Sequence, residues 1–351
     1  MAAESSSTGS VPGAVCSDPP LPFGGAECPL CGSRRSTAGG AIVGTDQRSY
    51  ELRLCGGCGV RSLAMMPDTD TLSEHYGPGY YSQNMVSRPR ARLRLKGRLE
   101  GSRSVLLRAM LKMLSIGWLP LAPHSGAQML DVGCGDGAAL VRARSLGWDP
   151  EGCEFDSNAC AQARDHGFVC YAGDWSSELP RGCYELVLMN QVLEHISDPI
   201  LALRSVRSSM VEGGVLLLGL PNWDSSAALA FGTIWWANLA PEHVWQPRFA
   251  HVDRALELSG FRVDRVRVRN LFSDYFSFAR LRDQWALAKG AGWSLGRFIR
   301  TYTIAAATAA RARLTATGPV TGEGSMYTLE CTAVDHVLEC GERAQTAVGD
   351  D

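Results

Sequence analysis

The sequence lacks any apolar run near the roughly 18 to 20 residues that cross a bilayer. Its first residues, MAAESSSTGSVPG, have neither the basic start nor the apolar stretch of a secretory leader. A dominant charge sign is also missing: 34 Lys and Arg residues face 36 Asp and Glu residues, for a formal net charge of -2. Such a balance gives no global attraction to nucleic acid. These absences predict a cytoplasmic protein without a transmembrane segment, for which nucleic acid is an unexpected partner.

Cysteine, in contrast, is plentiful, and the twelve cysteines are of two kinds. Two tight pairs, Cys28-x-x-Cys31 and Cys55-x-x-Cys58, are separated by 23 residues. Two such pairs can hold one tetrahedral metal ion, so we predict a structural zinc site, with redox-active pairs as the alternative. The segments Ala41–Val43 and Tyr50–Leu54 predict a hairpin between them. The remaining cysteines are scattered, which is typical of a reduced intracellular chain rather than a disulfide framework.

Outside residues 127–334, composition predicts four separate segments. Residues 1–25 are rich in Ser, Gly, Pro and Ala and are predicted to be a disordered arm. Residues 26–66 form the predicted zinc ribbon, residues 67–126 basic lid or linker helices, and residues 335–351 a tail. Between Arg88 and Lys112 nine basic residues accompany one acid. This stretch is either a solvated helix face or a patch that attracts an anionic substrate, a membrane surface or RNA.

Residues 127–334 alternate short apolar runs with helical patterns, which predicts an α/β domain with a mostly parallel sheet. Five strands are predicted at Gln128–Val132, Pro150–Phe155, Phe168–Ala172, Glu185–Met189 and Val215–Leu220. Helices are predicted at Ala138–Ser145, Ser157–His166, Pro199–Met210 and Phe249–Ser259. Two later strands, Phe261–Val268 and Met326–Ala333, can pair antiparallel at one edge. Residues 230–247 and 270–315 are predicted substrate-side insertions.

The first of these strands runs into Asp131 and then into glycines at 133, 135 and 137, directly before a helix. Glycine allows a sharp turn and close approach to a ligand, and the helix start presents free amides. Glu154 ends the next strand, where it can accept hydrogen bonds from ribose hydroxyls, and Asp174 follows the third strand, within reach of an adenine amino group. The third glycine comes one residue too early for the dinucleotide fingerprint, which counts against an NAD-dependent oxidoreductase.

These residues resemble the class I S-adenosylmethionine-dependent methyltransferases, which have a seven-stranded, Rossmann-like sheet, mostly parallel with one antiparallel edge strand. The segments that carry the resemblance are "LDVGCGDG", "GCEFDSNA", "YAGDWSSELP", "YELVLMNQVLEHISDP" and "GGVLLLGLPN". By this resemblance the glycine loop lines the methionine and ribose side, and Asn190 and Gln191 lie close to the methionine carboxylate. It implies cofactor contacts from Asp131, Gly133, Gly135, Gly137, Glu154, Phe155, Asp174, Trp175, Asn190 and Gln191.

Methyl transfer to a hydroxyl needs a general base as well as alignment of the reactants. His195 follows the fourth strand and His243 lies in the segment after the fifth strand, so both are candidate bases. Each can instead be structural: His195 can brace its loop, and Glu194 can position the loop or the cofactor. The nearby apolar residues are either core of a lid helix or a wall of the acceptor pocket. They are Phe231, Ile234, Trp235, Trp236 and Leu239.

The N-terminal segments "CPLCGS", "LRLCGGCGV" and "MPDTDTLSEHYGPGYYS" resemble the zinc ribbon of a bacterial methyltransferase group that acts on small molecules. We therefore expect a small-molecule acceptor, such as a natural-product, sugar or cell-envelope precursor. A second hypothesis is an RNA methyltransferase, which would use the ribbon and the basic stretch to hold RNA. A third is a non-catalytic scaffold that binds the nucleoside without turnover.

Overall fold

The computed structural model describes residues 27–44, 46, 48–67, 119–173, 179–268, 278–315 and 326–334. The predicted disordered arm, the basic stretch from Arg88 to Lys112 and the tail lie outside these residues. Among the described residues, no helix combines the length and apolar character needed to cross a membrane.

A small antiparallel sheet is built mainly from the cysteine-rich segment. The predicted hairpin is present: β1 (Ser36–Val43) pairs with β2 (Ser49–Cys55), and β2 pairs with β3 (Arg61–Leu63). The fourth strand, β9 (Trp245–Gln246), comes from far along the chain and pairs with β3. The ribbon segment is therefore joined to the larger domain through main-chain hydrogen bonds.

The larger sheet has seven strands, as predicted. They are β4 (Gln128–Val132), β5 (Asp149–Glu154), β6 (Cys170–Ala172), β7 (Tyr184–Asn190), β8 (Met210–Pro221), β10 (Phe261–Val268) and β11 (Met326–Ala333). Their order is β10-β11-β8-β7-β4-β5-β6. Strands β4 to β8 are parallel, and β11 runs antiparallel between β8 and β10. The antiparallel strand thus lies one position in from the edge, because β10 occupies the edge itself.

Among the described residues, seven α-helices accompany the sheets: α1 (Ala138–Ser145), α2 (Ser157–Asp165), α3 (Pro199–Ser209), α4 (Ser226–Phe231), α5 (Phe249–Glu257), α6 (Phe278–Gly290) and α7 (Leu295–Thr315). Side-chain caps define two of the predicted helix starts. The Asp156 carboxylate accepts from the Asn158 amide before α2, and Asp198 accepts from the Leu201 amide before α3. These bonds satisfy amides that have no partner within the helix.

One hydrophobic core runs from the ribbon segment into the larger sheet. Ile42 and Leu52 of the ribbon belong to the same buried cluster as Val187 and Leu218. A second cluster is formed by α4, α6, α7 and the segment after β8, and it is rich in aromatic rings. The first cluster includes Met189 and Leu220, near the C-terminal ends of β7 and β8, which is where parallel sheets of this kind bind ligands.

The structure adds one cysteine pair that the spacing in the sequence did not predict. Cys160 of α2 and Cys170 of β6 are joined by a disulfide, although their spacing gave no sign of pairing. The helix and the strand are neighbours in the fold, which brings the two residues together across ten positions of sequence. Among the other cysteines in the described part of the chain, eight are free.

Candidate functional site

The loop between β4 and α1 adopts a conformation that needs glycine. Gly133, Gly135 and Gly137 have φ angles of 71°, 53° and 84°, in the left-handed region. Space restricts Gly133 further, since an added Cβ would come within 2.5 Å of Val192 Cγ2. The loop therefore brings bare backbone close to the segment that follows β7.

Two buried carboxyl groups flank this loop. Glu154, at the end of β5, accepts hydrogen bonds from the Gly135 amide at 2.8 Å and the Asp156 amide at 3.0 Å. Asp131, at the end of β4, is also buried. Desolvation raises the pKa of Asp131 to about 8, and the charge of Glu154 adds to the shift. A positive charge nearby would stabilise the ionised form of Asp131 and lower its pKa again.

The other predicted cofactor residues occupy different surroundings. Phe155 exposes its ring at the end of β5, and Asn190 is exposed at the end of β7. Gln191 has a φ angle of 59°, and its buried side-chain nitrogen has no hydrogen-bond partner among the described residues. Such an orphaned donor fits a ligand carboxylate. Asp174 and Trp175 lie outside the described residues.

Both candidate bases belong to one compact group with Glu194. The nitrogen and oxygen atoms that Glu194, His195 and His243 offer all lie within 4.8 Å of one another. The two imidazole rings meet edge to face with centroids 4.7 Å apart. Glu194 and His195 follow β7 in a short 3₁₀ turn, whereas His243 comes from the segment after β8. The structure thus brings together residues that are 48 positions apart.

Hydrogen bonding fixes the tautomer of His243. Its Nδ1 lies 2.8 Å from the carbonyl oxygen of Ala237 and must donate to it. Nε2 therefore carries the lone pair of the neutral ring. Desolvation, with the positive charge of His195 second, holds the pKa of His243 well below 6.5. The ring is consequently neutral at pH 7 and able to accept a proton.

Glu194 is fully buried beside this ring. Its Oε1 lies 3.9 Å from His243 Nε2, and neither carboxyl oxygen has a hydrogen-bond partner in the described part of the chain. Desolvation raises the pKa of Glu194 to about 8. A gap of 3.9 Å allows one oxygen atom to approach both groups at hydrogen-bond distance. The spacing between the two groups thus matches a bridge through one oxygen atom.

The aromatic residues near His243 mainly pack within the fold. The Trp223 ring lies 6.0 Å from His243 between centroids, and its indole nitrogen donates to Asn238 Oδ1 at 3.0 Å. Trp235 and Phe231 are buried in the second hydrophobic cluster. Ile234 and Trp236 pack against that cluster, so these residues of the predicted wall belong to its packing. Sequence reasoning did not single out Trp223.

The four paired cysteines converge. Cys28 Sγ lies 3.8 Å from Cys58 Sγ, and Cys31 Sγ lies 3.5 Å from Cys55 Sγ, with all four sulfurs within 4.8 Å of one another. Four sulfurs about 2.3 Å from a central zinc ion would be about 3.8 Å apart, so the cluster has the right size for tetrahedral thiolate coordination. A Cβ at Gly57 would come within 2.8 Å of Cys31 Sγ. Glycine there keeps the cluster tight.

A chain of main-chain hydrogen bonds connects the ribbon to the histidine group. The Leu63 amide donates to Val244 O at 2.8 Å, and the Val244 amide donates to Glu194 O at 3.0 Å. His251 Nε2 donates to the carbonyl oxygen of Cys58 at 2.9 Å. His251 lies in the first turn of α5 and is buried. The cysteine cluster is therefore structurally coupled to the segment that holds His243.

Comparison with known sequences also indicates a methyltransferase. Residues 104–266 match the family model described as a methyltransferase domain. The chain is 25% identical over 174 residues to a ubiquinone biosynthesis O-methyltransferase of Rhodopseudomonas palustris, covering 47% of this chain and 67% of the relative. A protein of the same name from Sinorhizobium fredii is 27% identical over 187 residues, covering 48% and 70%.

Solved structures resemble the chain more distantly. An S-adenosylmethionine-dependent methyltransferase from Mesorhizobium loti is 16% identical, with a TM-score of 0.41, covering 66% of this chain and 98% of that protein. A possible histamine N-methyltransferase from Thermotoga maritima is 14% identical, with a TM-score of 0.40, covering 69% and 93%. The strand order of the chain itself is what defines its fold.

The seven-stranded sheet, the glycine loop and the sequence match together define the class. The chain is an S-adenosylmethionine-dependent methyltransferase with a Rossmann-like α/β fold.

Proposed function

We propose that this enzyme transfers the methyl group of S-adenosylmethionine to a hydroxyl oxygen of a small-molecule acceptor. The observation that carries the proposal is the group formed by Glu194, His195 and His243 beside the glycine loop. The sequence relatives named O-methyltransferases support an oxygen acceptor. A natural-product, sugar or cell-envelope precursor fits the small-molecule class, and a cytoplasmic location belongs to the same proposal.

In the proposed cofactor site, Gly133, Gly135 and Gly137 allow the methionine and ribose portions to approach the backbone. Glu154 would turn from the loop amides to the ribose hydroxyls, and a positive sulfonium near the buried Asp131 would stabilise the ionised form of that carboxyl group. The orphaned amide of Gln191, with Asn190, would hold the methionine carboxylate. Phe155, Asp174 and Trp175 are proposed to surround the adenine.

The proposed reaction is an in-line displacement. The acceptor oxygen forms a bond to the methyl carbon while the bond from that carbon to sulfur breaks, leaving the neutral thioether. The acceptor proton moves to His243 Nε2, which carries the lone pair, and His195 is the alternative base. The buried site excludes water, and alignment of the two reactants supplies much of the acceleration.

Zinc is proposed as a structural ion held by Cys28, Cys31, Cys55 and Cys58. The fit rests on the sulfur separations and on the chemistry of four thiols. Four protein ligands leave no open coordination position, so the ion would stabilise the ribbon and take no part in methyl transfer.

Two other functions stay open to test. An RNA methyltransferase would use the ribbon and the basic stretch from Arg88 to Lys112, and its RNA affinity would fall steeply with salt. A non-catalytic scaffold would bind the cofactor without turnover. Neither requires a neutral histidine whose Nε2 lies 3.9 Å from a buried carboxyl oxygen.

The test uses purified full-length protein with S-adenosylmethionine labelled in its methyl group and a panel of small phenols, sugars and alcohols, with tRNA as a separate arm. We expect label in at least one hydroxyl compound and none in RNA. Transfer to RNA alone, or S-adenosylhomocysteine binding without any transfer, would contradict the proposal.

A further inference from the structure

Three sulfur atoms lie together beside the glycine loop. Cys134, between Gly133 and Gly135, places its Sγ 3.7 Å from Sγ of Cys170, which is joined to Cys160 in the disulfide. A disulfide sulfur carries no proton, so the Cys134 thiol is the donor in this contact. A free thiol of the cofactor loop thus contacts a disulfide that ties α2 to β6.

The absence of a side chain at Gly152 makes this contact possible. Strand β5 lies between β4 and β6, and Gly152 pairs directly with Cys170. A Cβ at Gly152 would come within 2.6 Å of Cys134 Sγ and 2.9 Å of Cys134 Cβ. The Cys134 side chain therefore lies across the backbone of β5, in the space that a side chain at position 152 would fill. All three sulfurs belong to residues of one buried cluster.

We propose that Cys134 exchanges with this disulfide, and that the resulting Cys134–Cys170 bond holds the glycine loop in a conformation that cannot bind the cofactor. The Cys134 thiol loses its proton to water, and its sulfur forms a bond to Cys170 Sγ while the bond from Cys170 to Cys160 breaks. Cys160 leaves as a thiolate and takes up a proton. One thiol and one disulfide are present before and after, so the step needs no oxidant or reductant.

A bond between the two sulfurs would displace the glycine loop. Their separation of 3.7 Å must shorten to the roughly 2.05 Å of a disulfide. Cys134 cannot move alone, because its amide donates to the carbonyl oxygen of Cys153 at 3.1 Å and its own carbonyl accepts from the Gly137 amide at 3.0 Å. The next amide, that of Gly135, donates to Glu154. Pulling Cys134 toward β6 therefore disturbs the loop and the proposed ribose contact together.

The exchange is expected to be slow. Burial, followed by the negative charges of Asp131 and Glu154, raises the pKa of the Cys134 thiol. Little of it is therefore ionised at neutral pH, and the thiolate is the attacking form. Uncatalysed disulfide rearrangement takes minutes to hours. The two isomers thus interconvert slowly enough to be trapped by alkylation.

The test is disulfide mapping of the full-length chain, purified without reducing agent. The protein is incubated at mildly alkaline pH, which increases the thiolate, with or without S-adenosylhomocysteine. Free thiols are then blocked with N-ethylmaleimide, and linked peptides are identified by mass spectrometry. Cys134→Ser removes the attacking thiol. Cys153→Ser is the matched control, because it removes a buried thiol next to Gly152 that belongs to the cluster on the other face of β5.

We expect the ligand-free natural chain and Cys153→Ser to yield a peptide pair linked through Cys134 and Cys170, with Cys160 alkylated. Saturating S-adenosylhomocysteine should lower the amount of this pair by about tenfold or more, because a ligand that binds one isomer draws the equilibrium toward it. Cys134→Ser should keep the Cys160–Cys170 bond under both conditions.

Two results would overturn the proposal. One is the absence of the Cys134–Cys170 pair from the ligand-free natural chain. The other is an equal amount of that pair with and without S-adenosylhomocysteine, at a concentration that calorimetry shows to be saturating. The connectivity of the ligand-free chain does not depend on cofactor binding, so failure of the exchange and failure of the cofactor site are distinguishable.

Discussion

His243 owes its proposed role to the residues around its ring. Donation from Nδ1 to Ala237 O leaves the lone pair on Nε2, and burial keeps the ring neutral. We expect His243→Asn to lower the rate of methyl transfer by about 10²- to 10⁴-fold, the usual contribution of a general base. The affinity for S-adenosylhomocysteine, measured by calorimetry, should change little. A comparable loss of that affinity would indicate that His243 supports the cofactor site instead.

Glu194 should give the folded protein a characteristic pH dependence. Its folded pKa of about 8 lies above the ordinary value of 4.5, so the folded state holds a proton that the unfolded state releases. Its contribution to stability is complete below pH 4.5 and is lost as the pH rises through 8. Glu194→Gln should therefore reduce the decline in unfolding free energy between pH 5 and pH 8, by an amount on the order of a few kcal/mol.

Urea unfolding of both proteins at several pH values would measure this difference. Glu51→Gln, at an exposed position of β2, is the matched control and should follow the natural chain. Identical pH profiles for the natural chain and Glu194→Gln would show that Glu194 is already ionised in the folded protein.

In the glycine loop, the effect of a steric clash can be separated from the effect of backbone strain by comparing two glycines. Gly133 and Gly126 both have positive φ angles, but only at Gly133 would a Cβ meet a neighbour, Val192. Gly126→Ala should cost about 1–2 kcal/mol of stability from backbone strain alone. Gly133→Ala should cost more and should also weaken S-adenosylhomocysteine binding at least tenfold. Equal effects of the two substitutions on binding would mean that the loop tolerates a side chain.

The proposed zinc site can be tested by removing one of its four ligands. Cys31→Ser removes one ligand of the proposed zinc site, so the purified protein should contain less than one zinc per chain by elemental analysis. Because β3 pairs with β9 just after His243, methyl transfer should fall as well. Cys183→Ser changes an exposed free cysteine and should retain both zinc and activity. Full zinc content in Cys31→Ser would contradict the four-cysteine assignment.

Local pattern was enough to predict much of the larger sheet. The bounds of β4 and α1 agree with the prediction, because an apolar run and a glycine loop mark where each begins and ends. Strand β8 begins at Met210 rather than Val215, since Glu212-Gly213-Gly214 has the composition of a turn and yet continues the strand.

Contacts between distant residues could not be predicted from such patterns. Strand β9 is two residues long and exists through its pairing with β3, which lies about 180 positions earlier. The grouping of Glu194 with His243 depends on the same arrangement. Sequence alone proposed both histidines as bases but gave no reason for them to meet. The tautomer and the depressed pKa of His243 likewise follow from three-dimensional burial.

In the whole molecule, the ribbon and the larger sheet share one hydrophobic core and are joined by the pairing of β3 with β9. The ribbon contacts the His243 segment through the main-chain bond from Leu63 to Val244. The acceptor chemistry depends on S-adenosylmethionine binding to this protein, so cofactor binding is the central claim.

Calorimetric titration of the full-length chain with S-adenosylhomocysteine and, separately, with NAD tests that claim most directly. We predict one S-adenosylhomocysteine bound per chain, with affinity reduced at least tenfold in Glu154→Gln, and no detectable heat from NAD. Tight binding of NAD without binding of S-adenosylhomocysteine would contradict it.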